Sequence, residues 1–338
     1  MAPTVSFVIP VLDDADRLKA CLDAIVAGTP EEVDVEIVVA DNGSTDGSAQ
    51  VARERGARVL GLPGLRLGEL RNRAASATRG NILAFVDADN EIAPHWIAAC
   101  LDVLSDRATV AAGAPYTPPN PATWVQRLYD GLRRHPADRQ PVDWLGSGNM
   151  AVRRAAFEEV GGFDTTLETC EDVDLCRKLR ARGYDLVADR RMRNVHHGDP
   201  RTLGQVFFGE LWRGRDNLRV SLRAPHSART MASAVVPIVN LAAMAVVALG
   251  TLSMTRAGLT VAAGAAGLVV VAVTLRATMM IASAGSEDQA YTFLARRLGD
   301  LHLAAAVAAA YEAGRALALV TRARHGRRRA AVPVRGAA

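Results

Sequence analysis

The run ILAFVDADNE, residues 82–91, constrains this chain more than any other stretch: five apolar residues lead into two aspartates separated by one alanine. A short apolar run bounded by polar residues reads as a strand buried on both faces of an α/β sheet. Asp87 and Asp89 then stand where the strand leaves the core, the edge at which open α/β sheets bind ligands. Two carboxylates this close repel unless a cation lies between them, and hard oxygen ligands suit Mg²⁺ or Mn²⁺. A metal-bound diphosphate is the natural guest. Taken alone, a D-x-D pair is more often a solvated acidic turn; the rest of the chain overturns that reading.

Strand and helix signals alternate before and after the pair. Residues 6–11 are apolar and β-branched, closed by Pro10, and residues 15–27 show helical spacing through Leu18, Leu22, Ile25 and Val26. A second strand, 36–40, runs into DNGSTDGS (41–48), whose short polar residues cap helices and whose glycines allow tight turns. A third strand, 57–60, precedes a Gly/Leu loop and a helix over 69–78. Repeated units of this kind predict a parallel sheet sandwiched between helices. Further on come a helix opened by Pro94, a strand over 109–114, and a proline run (Pro115, Pro118, Pro119, Pro121) with an arginine-rich stretch, 126–139, behind it. There the expectation is a variable loop over the acceptor. Residues 144–152 read as a strand interrupted by Gly146 and Gly148, either an ordinary bulge or a close approach to a ligand. Glu171 and Asp172 open an amphipathic helix, where acids are commonly structural through the helix dipole. His196 and His197 follow a last strand at 186–188, and imidazole can join carboxylates on Mn²⁺.

Length and composition bound the rest. A chain of 338 residues holds a full catalytic domain and more, and its 49% hydrophobic residues concentrate in the last third. The net charge is only +4, and the arginines flank the apolar segments, which fits a membrane face and not nucleic acid. Cys21, Cys100, Cys170 and Cys176 lack pairwise metal spacing and read as reduced cytosolic thiols. The N-terminus has no basic region and too short an apolar run for a signal peptide, so the first domain is expected to stay in the cytosol.

At the other end, residues 202–222 form an amphipathic basic stretch with Phe207 and Trp212 that reads as lying in a membrane interface, against the plainer reading of a core-packing helix. Residues 232–254 and 257–275 carry no charge and predict a tight transmembrane hairpin. Arginines 213–229 precede it and Arg276, Arg296 and Arg297 follow it, which places both flanks in the cytoplasm. Residues 301–320, Ala-rich but holding His302, Glu312 and Arg315, are expected to be interfacial or re-entrant.

In order and spacing, SFVIPVLDDADRLKACLDAI, VVADNGSTDGS, LRNRAASATRGNILAFVDAD and ETCEDVDLCRKLRARGY resemble the family 2 inverting glycosyltransferases of GT-A fold, over about the first two-thirds of the chain. The resemblance implies a nucleotide-diphosphate sugar donor (UDP-, GDP- or dTDP-sugar). It implies Pro10 and Asp13 near the nucleoside, Asp41 on the base, Arg71 over the nucleotide, Asp87 towards ribose and metal, and Asp89 on the metal. It implies His196 or His197 as a further ligand, a donor-sugar pocket floored by Gly146, Ser147, Gly148 and Asn149, and Asp172 as the base with Glu171 beside it. The chemistry agrees: glycosyl transfer develops negative charge on the leaving diphosphate, which a cation held by Asp89 would stabilise. Inversion needs a base on the opposite face. Arg71 has a plainer alternative as an exposed helix arginine, and Asp41 as a helix cap.

The expected organisation is an α/β catalytic domain over 1–200, a Rossmann-like sandwiched GT-A sheet, followed by a C-terminal helical membrane region. That region divides into an interfacial helix and basic linker (201–230), a transmembrane hairpin (231–276), membrane-associated helices (277–321) and a basic disordered tail (322–338). The expected activity is inverting, Mn²⁺- or Mg²⁺-assisted sugar transfer to a lipid-linked or glycan hydroxyl acceptor in envelope polysaccharide or glycolipid synthesis, at the cytoplasmic face of the plasma membrane. The alternatives are a polyprenyl-phosphate glycosyl synthase and a non-catalytic membrane subunit of a glycan-assembly complex.

Overall fold

The computed structural model describes residues 4–133, 135, 138–223, 228–283 and 300–330. The chain divides into two compact units: Met1–Ala122 with Arg133–Asp199, and Thr123–Leu132 with Pro200–Ala338.

The first unit is a sheet between two layers of helices. Its elements are β1 (Thr4–Val11), α1 (Ala15–Ala27), β2 (Asp34–Asp41), α2 (Ser48–Glu54), β3 (Arg58–Gly61), α3 (Leu67–Ser76), β4 (Ile82–Val86), β5 (Asn90–Ile92), α4 (Trp96–Val103) and β6 (Thr109–Gly113). Beyond the inserted helix α5 (Trp124–Asp130) it continues with β7 (Gln140–Pro141), β8 (Asn149–Arg153), α6 (Arg154–Glu159), α7 (Glu171–Ala181), β9 (Asp185–Ala188) and β10 (Asn194–His196). The strand order is β3-β2-β1-β4-β8-β6-β9-β7, with β10 and β5 forming a separate pair. Strand side chains alternate between two cores, as the pleat requires. Phe7, Ile9 and Val11 join Leu18, Leu22, Ile25 and Trp96 on one face, while Val8, Val38 and Phe85 join Leu70, Phe157 and Leu175 on the other. That two-sided burial is why β4 reads as an unbroken apolar run.

The sheet is mixed, not parallel throughout as the repeating units predict. β8 runs antiparallel to both β4 and β6, and β7 antiparallel to β9. The chain leaves β6 at the ligand-binding edge and, among the described residues of this unit, makes no helical crossover before β8, so it re-enters from the edge it left. The strand expected over 144–152 likewise begins only at Asn149.

The second unit is helical: α5, α8 (Leu203–Arg213), α9 (Asn217–Ser221), α10 (Ala228–Leu252), α11 (Arg256–Ser283) and α12 (Leu301–Ala330). The stretch 126–139, expected as a variable loop, starts instead inside α5, which is fixed by a Thr123–Gln126 capping box and buries Val125, Leu128 and Tyr129 with Val206, Val307 and Ala308. Among the described residues three helices are long and apolar enough to cross a membrane: Met231–Leu252, Arg256–Ala282 and Leu301–Thr321. The first two cover the residues expected as a hairpin, with α11 continuing past Arg276 to Ser283. The third, over the residues expected to be interfacial or re-entrant, is one unbroken helix packed on α8, α10 and α11. Its polar residues are absorbed by partners: Glu312 accepts from Arg276 and from Asn240 (2.8 Å), and Arg315 donates to the buried Glu210 of α8 at 2.6 Å. The amphipathic stretch breaks at Gly214 into α8 and α9; α8 buries Val206 and Glu210 and exposes Phe208 and Trp212. α12 runs through Ala330, so the first residues of the expected tail are helical, whereas Arg296, Arg297 and residues 331–338 lie outside the described residues.

Candidate functional site

The site lies along the edge where β1, β2 and β4 end. In the loop after β1, Asp13 adopts φ 50°, a left-handed conformation that costs a non-glycine residue energy and clusters at functional sites. Its Oδ1 accepts from Thr45 N at 2.7 Å, and Asp41, which ends β2, accepts from Ser44 N at 2.9 Å. These bonds lock the first two loops together. Pro10 sits in β1 opposite Ala40, past the last residue paired with β4, so its missing N–H costs no ladder bond on that side.

Beyond β4 the acids converge on one guanidinium. Arg71 on α3 is 1% exposed, and it donates to Asp87 at 2.6 Å and to Glu171 at 2.7 Å. It is therefore neither an exposed helix arginine nor a free clamp; it fastens the acid ending β4 to the acid opening α7. Glu171 also accepts from Ser147 Oγ at 3.3 Å. Cys170, immediately before the Glu171-Asp172 pair, is left-handed at φ 61°. Burial first, and then the neighbouring Glu171 charge, pushes the Asp172 carboxyl up to about 7.

Asp89 is met from the other side. β10 pairs antiparallel with β5, placing His196 opposite Asn90, and His196 Nε2 lies 3.3 Å from Asp89 Oδ2. The other ring nitrogen, Nδ1, is 2.6 Å from Asp199 Oδ1. Burial disfavours the imidazolium, but hydrogen bonds to Asp199 and Asp89 and their charges outweigh it and hold His196 up at about 9. His197 turns away to Glu91 at 2.5 Å. Asn149, expected in the pocket floor, is fully buried, accepting from Trp96 Nε1 and donating to the carbonyls of Ala114 and Met192.

Four further residues that the sequence reading did not single out stand beside these groups. Arg17 reaches Asp89 at 3.7 Å from α1. A Cβ on Gly198 would run into Asp89 and come within 3.0 Å of His196 Nε2. Tyr116 accepts from Gly148 N at 3.1 Å, and Arg133 grips Asp199 through both terminal nitrogens. The histidine pair before it is the sequence signal for Gly198, Arg17 lies in the first motif and Arg133 in the arginine-rich stretch, and nothing marks Tyr116.

Among the described residues no three His, Cys, Asp or Glu side chains are gathered to hold a metal. The donor chemistry nonetheless fits a cation completed by substrate. Asp89 and His196 face each other, Asp199 sets the imidazole in the carboxylate–histidine arrangement of metal sites, and Gly198 keeps the space beside them clear. Mg²⁺-type ions take one or two carboxylates plus phosphate oxygens and water.

The family model described as Glycosyl transferase family 2 matches residues 6–161, the span of β1 to β8 and the turn after α6. Residues 6–161 belong to glycosyltransferase family 2. This glycosyltransferase is 29% identical over 223 residues to the glycosyltransferase AglE of Haloferax volcanii, covering 62% of this chain and 69% of the relative. To the N-acetylglucosaminyl-diphospho-decaprenol L-rhamnosyltransferase of Mycobacterium tuberculosis it is 30% identical over 208 residues, 48% of this chain and 66% of the relative. Some relatives are far longer: the glycosyltransferase spans 24% of the protein y4gI of Sinorhizobium fredii, at 27% identity over 58% of its own length. In fold it resembles the mannosyltransferase PcManGT of Pyrobaculum calidifontis, solved with GDP-Man and Mn²⁺. The TM-score is 0.56 at 18% identity, over 93% of this chain and 87% of that one. The GT-A sheet is shared.

Proposed function

We propose that the glycosyltransferase moves a sugar from a nucleotide-diphosphate donor, UDP-, GDP- or dTDP-linked, to the hydroxyl of a lipid-linked or glycan acceptor, with inversion. One observation carries this reading: Arg71 bonds both Asp87 and Glu171, so the acids ending β4 and the acids opening α7 line one cleft. Asp13 and Asp41 receive the nucleoside, Asp87 the ribose, and Gly146 to Gly148 the sugar. Asp172 accepts the acceptor's hydroxyl proton while that oxygen bonds the anomeric carbon from the face opposite the diphosphate, whose C–O bond breaks. A carboxyl poised at about 7 suits that transfer near neutral pH. Asp89 and His196 would hold Mn²⁺ or Mg²⁺, which when bound supplies Lewis-acid stabilisation of the leaving diphosphate. The Mn²⁺ and GDP-Man of the Pyrobaculum enzyme support the cation and the donor class.

The three apolar helices, and the decaprenol diphosphate in the name of the mycobacterial relative, support a membrane-borne acceptor and a role in envelope polysaccharide or glycolipid assembly. Arginines ahead of the first span support a cytoplasmic catalytic unit. The test is Asp172→Asn on detergent-purified protein, with thermal shifts of UDP, GDP and dTDP with and without Mn²⁺. Transfer drops at least about a hundredfold while nucleotide stabilisation persists. Undiminished transfer refutes the base, and if it survives only with a lipid phosphate as acceptor, the polyprenyl-phosphate synthase reading replaces this one.

A further inference from the structure

Tyr116 lies outside every acidic motif, on the segment that leaves β6, yet it touches both halves of the site. Thr117 N donates to Asn194 O and His196 N donates to Thr117 O, both at 2.9 Å, which docks the segment alongside β10. The Tyr116 ring thereby stacks on His196, centroids 4.9 Å apart and planes 27° apart. The guanidinium of Arg133 lies 5.4 Å from the ring centroid, and Arg133 also donates to the Tyr116 carbonyl at 3.3 Å. At the far end of the ring, the phenol oxygen accepts from Gly148 N at 3.1 Å. A Cβ on Gly146 would meet that oxygen at 2.8 Å, and one on Gly148 would meet it at 2.7 Å and run into Asp87 Oδ2, so Gly146 is shaped around the phenol and Gly148 around both the phenol and Asp87.

We propose that Tyr116 is a positioning residue for the donor sugar: its hydroxyl fixes the Gly146–Gly148 turn as the pocket floor, and its ring fixes the plane of His196. The assignment rests on the donor-site reading above. Removing the hydroxyl leaves the Gly148 amide without its acceptor, a loss that falls on the turn next to the sugar and not on the nucleoside loops near Asp13 and Asp41. Removing the ring frees the imidazole as well.

The test compares wild type with Tyr116→Phe and Tyr116→Leu in detergent, with Mn²⁺. The probes are GDP, UDP and dTDP against GDP-mannose, UDP-glucose and dTDP-rhamnose. Tyr116→Phe, which keeps the stack, weakens binding of the preferred sugar nucleotide about tenfold and leaves the parent diphosphate within about twofold. Tyr116→Leu also lowers Mn²⁺ affinity about tenfold, read by electron paramagnetic resonance. Should Tyr116→Leu fail to fold, the phenylalanine variant alone decides. Unchanged sugar-nucleotide binding in Tyr116→Phe, or equal loss of both ligand types, overturns the assignment and leaves the donor site standing. A wild type that binds none of the six probes overturns the donor site and this assignment together.

Discussion

Arg71 concentrates the electrostatics of the cleft in a single side chain. Both terminal nitrogens are spent on carboxylates, its Nε is buried without a partner, and Phe163 lies 5.7 Å beneath the guanidinium. Arg71→Ala strands Glu171 and Asp87 beside each other without a cation, and breaking a buried ion pair in this way costs about 3–5 kcal/mol. Denaturant unfolding in detergent reads that loss. Arg71→Lys keeps the charge but not the fork, so it is expected to fall between wild type and alanine. Asp172 makes a second residue-scale prediction. Its carboxyl is raised to about 7, and a base works only when deprotonated, so kcat/KM falls about tenfold per pH unit below about 7 and levels off above. A profile flat between pH 5 and 8, as an ordinary carboxyl near 4 would give, contradicts the role. The positions of these acids were legible in the sequence because each closes a strand or opens a helix. Their partners were not. His196 and not His197 faces Asp89 because β10 pairs with β5 in one register, and a slip of one residue would exchange the two.

At the scale of elements, the strands of the first unit could be read from their apolar runs, but the direction of β8 could not. Periodicity records burial and is silent on which edge a returning chain enters. The helices show a similar split. The cores of α10 and α11 follow from charge-free runs, though α11 continues through Arg276 to Ser283, whereas the continuity of α12 depends on partners: Glu312 and Arg315 are tolerated because Asn240, Arg276 and Glu210 meet them. α8 and α12 also cross closely enough that a Cβ on Gly314 would stand 2.6 Å from the Phe207 carbonyl, and one on Gly214 2.6 Å from Ala318 Cβ. Gly314→Val forces the two helices apart at an overpacking cost of about 1–3 kcal/mol. Thermal unfolding of the detergent-solubilised protein is expected to show a lowered midpoint, and an unchanged one would mean the crossing is looser than drawn.

Across the whole molecule, a GT-A unit and a helical unit with three potential spans share one chain. The protein is expected to stay with membranes through a high-salt and alkaline carbonate wash, since three apolar spans bind far more firmly than basic residues on anionic lipid. Release by either wash would reduce the helices to a surface association. On the proposed orientation, with the catalytic unit at the cytoplasmic face, added protease should cut it in inverted vesicles and spare it in right-side-out ones. The first two candidate spans were legible because a bilayer demands a length of uncharged helix, and the third was not, because His302, Glu312 and Arg315 interrupt its apolar run. The division of the chain was less so, because α5 carries no marker of the unit it joins.

That division has a practical edge. A fragment ending at Asp199 keeps α5 but discards α8, α11 and α12, the helices that cover Val125, Leu128 and Tyr129. Such a truncation would display a greasy stripe to water and self-associate, so a soluble version of this enzyme has to be made by repainting that stripe with polar residues, not by scissors alone.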